Sequence, residues 1–106
     1  MFLILWEFEV KPGEEKAFEK VYGPEGPWAQ LFRSDPCYRQ TRLLKDPSRS
    51  RIYFTLDFWE SENDYNRFKR TNQDAYAKLD KTTESLTIRE RNLGCFLQQG
   101  PEQISS

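Results

Sequence analysis

Between Arg51 and Asp64 an aromatic strand runs directly into a helix start, and this junction narrows the folds open to the chain more than any other stretch. Ile52, Phe54, Leu56 and Phe58 fall on one side of an extended backbone, and Tyr53, Thr55 and Asp57 fall on the other. Ser61 then offers its hydroxyl to the free amides of a first helical turn. Asp64, three residues on, reaches back as in a capping box and also favours the helix dipole. The wholly apolar side of this strand is expected to face the interior, with Tyr53, Thr55 and Asp57 outside.

The rest of the chain divides in the same way. Phe2, Ile4, Trp6, Phe8 and Val10 alternate with Leu3, Leu5, Glu7 and Glu9 in a first strand that Pro12-Gly13 ends. Glu14 and Glu15 open a helix whose inner face is Ala17, Phe18, Val21 and Tyr22. Gly23-Pro24-Glu25-Gly26-Pro27 breaks it, and a short second helix carries Trp28, Leu31 and Phe32 until Ser34-Asp35-Pro36. Cys37 to Lys45 forms a second strand, joined to the third through the turn residues Asp46-Pro47-Ser48-Arg49-Ser50. After Ser61 a helix turns Tyr65 and Phe68 inward, kinks near Asn72, and continues its stripe with Tyr76 and Leu79. Residues 85 to 96, with Leu86 and Ile88 alternating against Thr87 and Arg89, make a fourth strand. One domain over residues 1–96 and a polar tail over 97–106 are expected.

The order β-α-β-β-α-β predicts an α+β, ferredoxin-like domain: a four-stranded antiparallel sheet in the order 4-1-3-2 with both helices on one face. With even residues of strands one and three meeting the helices, the bare face carries Leu3, Leu5, Glu7, Glu9, Tyr53, Thr55 and Asp57, with Thr87, Arg89 and Arg91 alongside. Half apolar and half ion-paired, it is expected to pair with a second copy of the chain as a homodimer.

Charge and composition exclude several functions. Net charge is -1, from 16 basic and 17 acidic residues, so no long-range field draws in nucleic acid or an anionic membrane. The apolar opening Met1 to Trp6 stops at Glu7, too short to span a bilayer. Cys37 and Cys95 are read as free thiols of a cytoplasmic protein. No histidine is present, which removes imidazole metal ligands and Ser-His or Cys-His nucleophile pairs, and no metal site is expected. RNA-recognition domains share the βαββαβ order. Arg51, Tyr53 and Phe58 match three positions of their third-strand motif, but its glycines are missing and Thr55 replaces the central aromatic. The basic hairpin of Arg39, Arg42, Lys45, Arg49 and Arg51 is then a solvated turn, and no nucleic-acid partner is expected.

Four phrases, Glu7-Phe8-Glu9-Val10-Lys11-Pro12-Gly13, Pro36-Cys37-Tyr38-Arg39, Asp46-Pro47 and Phe58-Trp59-Glu60-Ser61, together resemble the antibiotic biosynthesis monooxygenase family of the dimeric α/β-barrel superfamily. The resemblance runs over residues 2 to 96, and its motifs mark turns and a cap rather than a reaction. It implies a homodimer whose two sheets pack into a barrel, with a ligand cavity between sheet and helices in each subunit. Members of the family include cofactor-independent oxygenases of polyketide phenols and quinols, haem-degrading enzymes, and proteins without known activity. The haem branch uses an Asn on the first strand and a Trp and a His on the second helix. Here those places hold Trp6 or Glu7 and Phe68, without any histidine, so haem degradation by that route is not expected.

The resemblance therefore implies a monooxygenase without cofactor, acting on a quinol or polycyclic phenol. Such an enzyme needs a dry pocket that positions its substrate and favours the substrate anion, which passes an electron to oxygen. Trp6, Tyr22, Trp28, Phe68, Asn72 and Tyr76 on the helix-facing side are the candidate substrate-binding residues, and no catalytic residue is named. Core packing accounts for the same aromatics, and Asn72 suits either a ligand or the backbone groups of a helix break. Trp59 is assigned to structure. The alternative is a non-catalytic dimeric domain that binds a small molecule or serves in stress. The segment 23–27, between Tyr22 and Trp28, is a candidate gate to the cavity.

Overall fold

A computed structural model describes residues 1–100 of the chain. Its elements are β1 (Phe2–Val10), α1 (Glu15–Tyr22), α2 (Pro27–Phe32), β2 (Tyr38–Lys45), β3 (Ile52–Trp59), α3 (Glu62–Thr71), α4 (Gln73–Thr83), a 3₁₀ turn (Glu84–Leu86) and β4 (Thr87–Leu97). The strands pair antiparallel in the order β2-β3-β1-β4, the expected ferredoxin-like α+β plan. Of the polar tail, Leu97 still belongs to β4, and the Gln98 amide donates to the Met1 carbonyl at 2.9 Å. Residues 101–106 lie outside the described residues.

Local chemistry sets the helix ends. Ser61 Oγ accepts from the Asp64 amide at 3.1 Å and donates to the Asp64 carboxylate at 2.7 Å, so α3 starts on the expected cap. At the end of α3, Asn72 Nδ2 donates to the Phe68 carbonyl at 3.0 Å and stabilises the break before α4. Gly23 and Gly26 are buried against the last turn of α1, where a β-carbon on Gly23 would stand 2.6 Å from the Glu19 carbonyl oxygen and one on Gly26 would meet those of Lys20 and Val21. Close packing accounts for both glycines, and no residue from 23 to 27 borders the cavity described below.

The register between β1 and β3 corrects the expected facing of β3. Partners in an antiparallel pair share a face, and here Phe2 stands opposite Trp59, Ile4 opposite Asp57, Trp6 opposite Thr55 and Phe8 opposite Tyr53. Tyr53, Thr55, Asp57 and Trp59 therefore point toward the helices, while Phe54, Leu56 and Phe58 lie on the bare face with Leu3 and Leu5. Both sides of this strand are apolar enough to bury, so alternation alone did not decide between them. Thr87 is also corrected: it pairs with Val10 and is buried on the helix side. A register shift at Glu9/Val10 leaves Ile88 out of phase and 56% exposed. Ala17, expected on the inner face of α1, is exposed.

Aromatic rings fill most of the space between sheet and helices. Phe18 packs on Tyr22, Tyr53 and Phe8 with centroids 4.4, 5.0 and 5.2 Å apart. Trp59 sits among Phe68, Tyr38, Tyr65 and Phe32 at 5.1 to 5.7 Å. On the bare face Glu7 is nearly covered by Arg91 and Arg49, and the Arg91 hydrogen bond holds its carboxyl below the usual range. Arg89 pairs with Glu9 at 3.2 Å beside it.

Candidate functional site

One cavity of about 240 Å³ opens between the sheet and the helices. The sheet contributes Trp6 and Phe8 from β1, Thr41 from β2, and Thr55 and Asp57 from β3. Tyr22, Trp28 and Phe32 from α1 and α2, with Tyr76 from α4, make the aromatic wall above them. Lys69, Asp80 and Glu90 are exposed and supply its charged rim.

The wall is held by one hydroxyl. Tyr22 OH and Trp28 Nε1 both donate to Thr83 Oγ1, at 3.1 and 3.3 Å, and Thr83 passes its own proton to the Leu79 carbonyl at 2.9 Å. The polar ends of Tyr22 and Trp28 are thereby occupied, and what they offer the cavity is ring surface. Burial pushes the Tyr22 phenol up to about 12, so it stays protonated at neutral pH. Trp28 meets Tyr76 edge-on at 5.0 Å, and Lys69 Nζ lies 5.2 Å from the Tyr76 ring centre.

Asp57 is the chemical exception in this setting. It is buried in the middle of β3, and Thr41 Oγ1 donates to its Oδ1 at 2.7 Å. Tyr38 OH donates in turn to Thr41 at 2.8 Å, which fixes the direction of the Thr41 proton. No described side chain hydrogen-bonds Oδ2, and no described cation pairs with the carboxylate. Burial raises its pKa from 3.8 to about 6, with the Thr41 hydrogen bond opposing the rise.

Of the six candidate residues, the structure gathers Trp6, Tyr22, Trp28 and Tyr76 around the cavity. Phe68 lies behind it, fully buried on Trp59 and Phe32, and Asn72 stands at the α3–α4 break. Asp57 and Thr55 lie on the side of β3 that the sequence pattern turns outward, and Thr41 lies on β2, to which that pattern assigns no inner face. An acidic residue in the middle of an aromatic strand was the available signal.

Other clusters have partners of their own. Cys37, Glu60 and Asp64 bring ligand atoms within 4.8 Å of one another, but Arg39 holds Glu60 and Arg67 holds Asp64. In the basic hairpin Arg49 pairs with Asp46 and Glu7, and Arg42 lies over the Phe58 ring. Among the described residues no helix is long and apolar enough to cross a membrane.

Comparison with known proteins agrees with this architecture. The mutant N63A of SnoaB, a cofactor-independent oxygenase from Streptomyces nogalater, superposes with a TM-score of 0.71 at 16% identity over 94% of each chain. A candidate antibiotic biosynthesis monooxygenase from Deinococcus radiodurans superposes with a TM-score of 0.75 at 8% identity over 100% of both chains. PA3566 from Pseudomonas aeruginosa gives 0.66 at 15% identity, over 93% of this chain and 94% of its own. At these identities the likeness is one of fold. No curated protein matches the chain in sequence. The sequence model for the family "Antibiotic biosynthesis monooxygenase" matches residues 1–78, and the chain belongs to that family.

Proposed function

We propose that the chain is a cofactor-independent monooxygenase that oxidises a quinol or polycyclic phenol with molecular oxygen in the cavity between sheet and helices. The observation that carries this is the site's composition: stacked and edge-on aromatic walls around a small void with a single buried carboxylate at its floor. The volume lies just below the roughly 300–1,000 Å³ of common small-molecule sites, which favours a substrate of two fused rings over larger ones. In the reaction a phenolic O–H, a ring C–H and O₂ become two carbonyls and water. The substrate supplies all four electrons, so no external reductant is needed. The protein's part is to hold the ring, exclude water and favour the anion that donates the first electron.

The test is oxygen consumption by metal-stripped protein against a panel of naphthols and quinols. We expect uptake in a one-to-one ratio to quinone formed, one atom from ¹⁸O₂ in the product, and a loss of at least about tenfold in Trp6→Ala. Silence across the panel would leave the cavity to ligand binding alone.

We also propose that the bare sheet face joins two copies of the chain. Leu3, Leu5, Leu56 and Phe58 form an apolar centre there, and toward the edge strands Leu44 and Phe96 are 44% and 49% exposed in the single chain. Leu5 lies opposite Leu56 and Gly94, near the middle of this surface. Leu5→Asp is expected to yield a monomer by sedimentation, since a carboxylate would be buried without a partner. A variant that still sediments as a dimer excludes this face.

A further inference from the structure

The phenols on the aromatic wall, Tyr22 and Tyr76, stay protonated at neutral pH, because burial raises both. Asp57 is the one carboxylate buried at the floor. Its Oδ1 is fixed by Thr41, and Thr41 by Tyr38, so the rotamer of the carboxylate is set from the β2 side. That leaves Oδ2 for a hydroxyl that enters the cavity. A purely structural acceptor for Thr41 would be served as well by an amide, without the cost of burying a charge that no described cation pairs with.

We infer that Asp57 is the proton-transfer residue of the reaction, with Thr41 and Tyr38 as its positioning residues; this rests on the oxygenase activity proposed above. The substrate O–H breaks and its proton moves to Oδ2, while the electron pair stays on the substrate oxygen. The anion gives one electron to O₂, and the resulting radical and superoxide join through a new C–O bond. The peroxide anion takes the proton back from Asp57. The ionised carboxylate then removes the hydrogen on the same ring carbon, the O–O bond breaks, and the departing hydroxide takes that proton as water while the carbonyl forms. Asp57 ends as it began.

The groups that bear on its titration are Tyr38 and Thr41 on β2, Lys69 and Tyr65 on α3, Tyr76 and Asp80 on α4, and Glu90 on β4. Of these, Thr41 acts on the carboxylate directly and lowers its pKa through its hydrogen bond, against the rise that burial causes. In wild type, kcat/KM should rise through about pH 6 and then level, following ionisation of Asp57. Asp57→Asn should lose roughly 10²- to 10⁴-fold and the pH-dependent rise with it. Thr41→Val should lower kcat/KM, since the carboxylate loses the hydrogen bond that positions it, and should also move the midpoint of the pH profile to higher pH, because that bond holds the carboxylate's pKa down.

A second readout needs no turnover. Binding of 2-naphthol, followed by its fluorescence, should tighten several-fold between pH 5 and 6.5 in wild type and stay flat in Asp57→Asn. Oxygen uptake that Asp57→Asn retains in full, with the same pH profile, would overturn the assignment and leave the oxygenase activity standing. A flat naphthol profile in wild type would overturn it as well. Naphthol binding that follows pH, with no oxygen uptake on any quinol, would instead sink the oxygenase activity and leave Asp57 as the acceptor of the ligand's hydroxyl proton.

Discussion

Asp57→Asn raises the stability of the folded chain at pH 7 by up to about 3 kcal/mol, and the gain vanishes below about pH 4. The pKa of Asp57 is 3.8 when solvated and about 6 in the fold, and each pH unit between them corresponds to about 1.4 kcal/mol. Below pH 4 the carboxyl is neutral in both states and costs nothing. As the pH rises toward 6 the unfolded chain releases this proton first, the folded chain binds more protons than the unfolded one, and stability falls with pH. Above about 6 the loss is complete. Asparagine keeps an acceptor for Thr41 and has no charge to bury. Urea melts of both proteins at pH 4, 5, 6 and 7 check this: the two curves of stability against pH should separate upward from pH 4 and run parallel above 6. A variant less stable than wild type at pH 7 would mean that the carboxylate supports the fold through Thr41. A stabilised but inactive variant would show that stability is given up at this position for chemistry.

Trp59→Ala has the opposite and larger effect, a loss of about 3–5 kcal/mol. The side chain is fully buried and touches rings from α2, β2 and α3 at once, so its removal opens a cavity where four elements meet. A domain of this size has a total stability of about 5–15 kcal/mol, so the variant sits close to unfolding at room temperature. Trp59→Phe separates packing from polarity. Trp59 Nε1 is buried without a partner, a defect that phenylalanine removes while filling most of the space. We expect Trp59→Phe to lose less than half of what Trp59→Ala loses in the same urea melts. Equal losses would show that shape at this position, more than volume, decides the core.

Most of the fold was legible because its signals are local. The Ser61 cap, the turn after Lys45, the even-numbered face of β1 and the break at Asn72 each depend on residues a few positions apart. The facing of β3 depends on its register with β1, some fifty residues away, and there the most apolar side was a misleading guide. A face that lines a cavity carries hydroxyls and a carboxylate, as Thr41, Thr55 and Asp57 do. On β3 the face proposed to meet a second copy is free of those demands and carries only Phe54, Leu56 and Phe58. The same inversion hid Asp57. Trp6, Tyr22, Trp28 and Tyr76 of the aromatic cavity lining lie on stripes whose inward sense is unambiguous in the sequence. The Thr83 hydroxyl that anchors two of them was not legible there, since nothing near Thr83 in the chain marks it as their shared partner.

The facing of β3 divides mutational phenotypes along a single strand. Changes at residues 55 and 57 reach the cavity, so on the proposed activity they should appear as altered turnover or ligand affinity at any protein concentration. Changes at residues 54, 56 and 58 reach the surface proposed to join two copies and, on that proposal, should appear as dilution-sensitive defects, absent when the protein is concentrated. Parity of the residue number, rather than distance along the chain, would then sort variants of this strand into those that a higher dose of protein can rescue and those that it cannot.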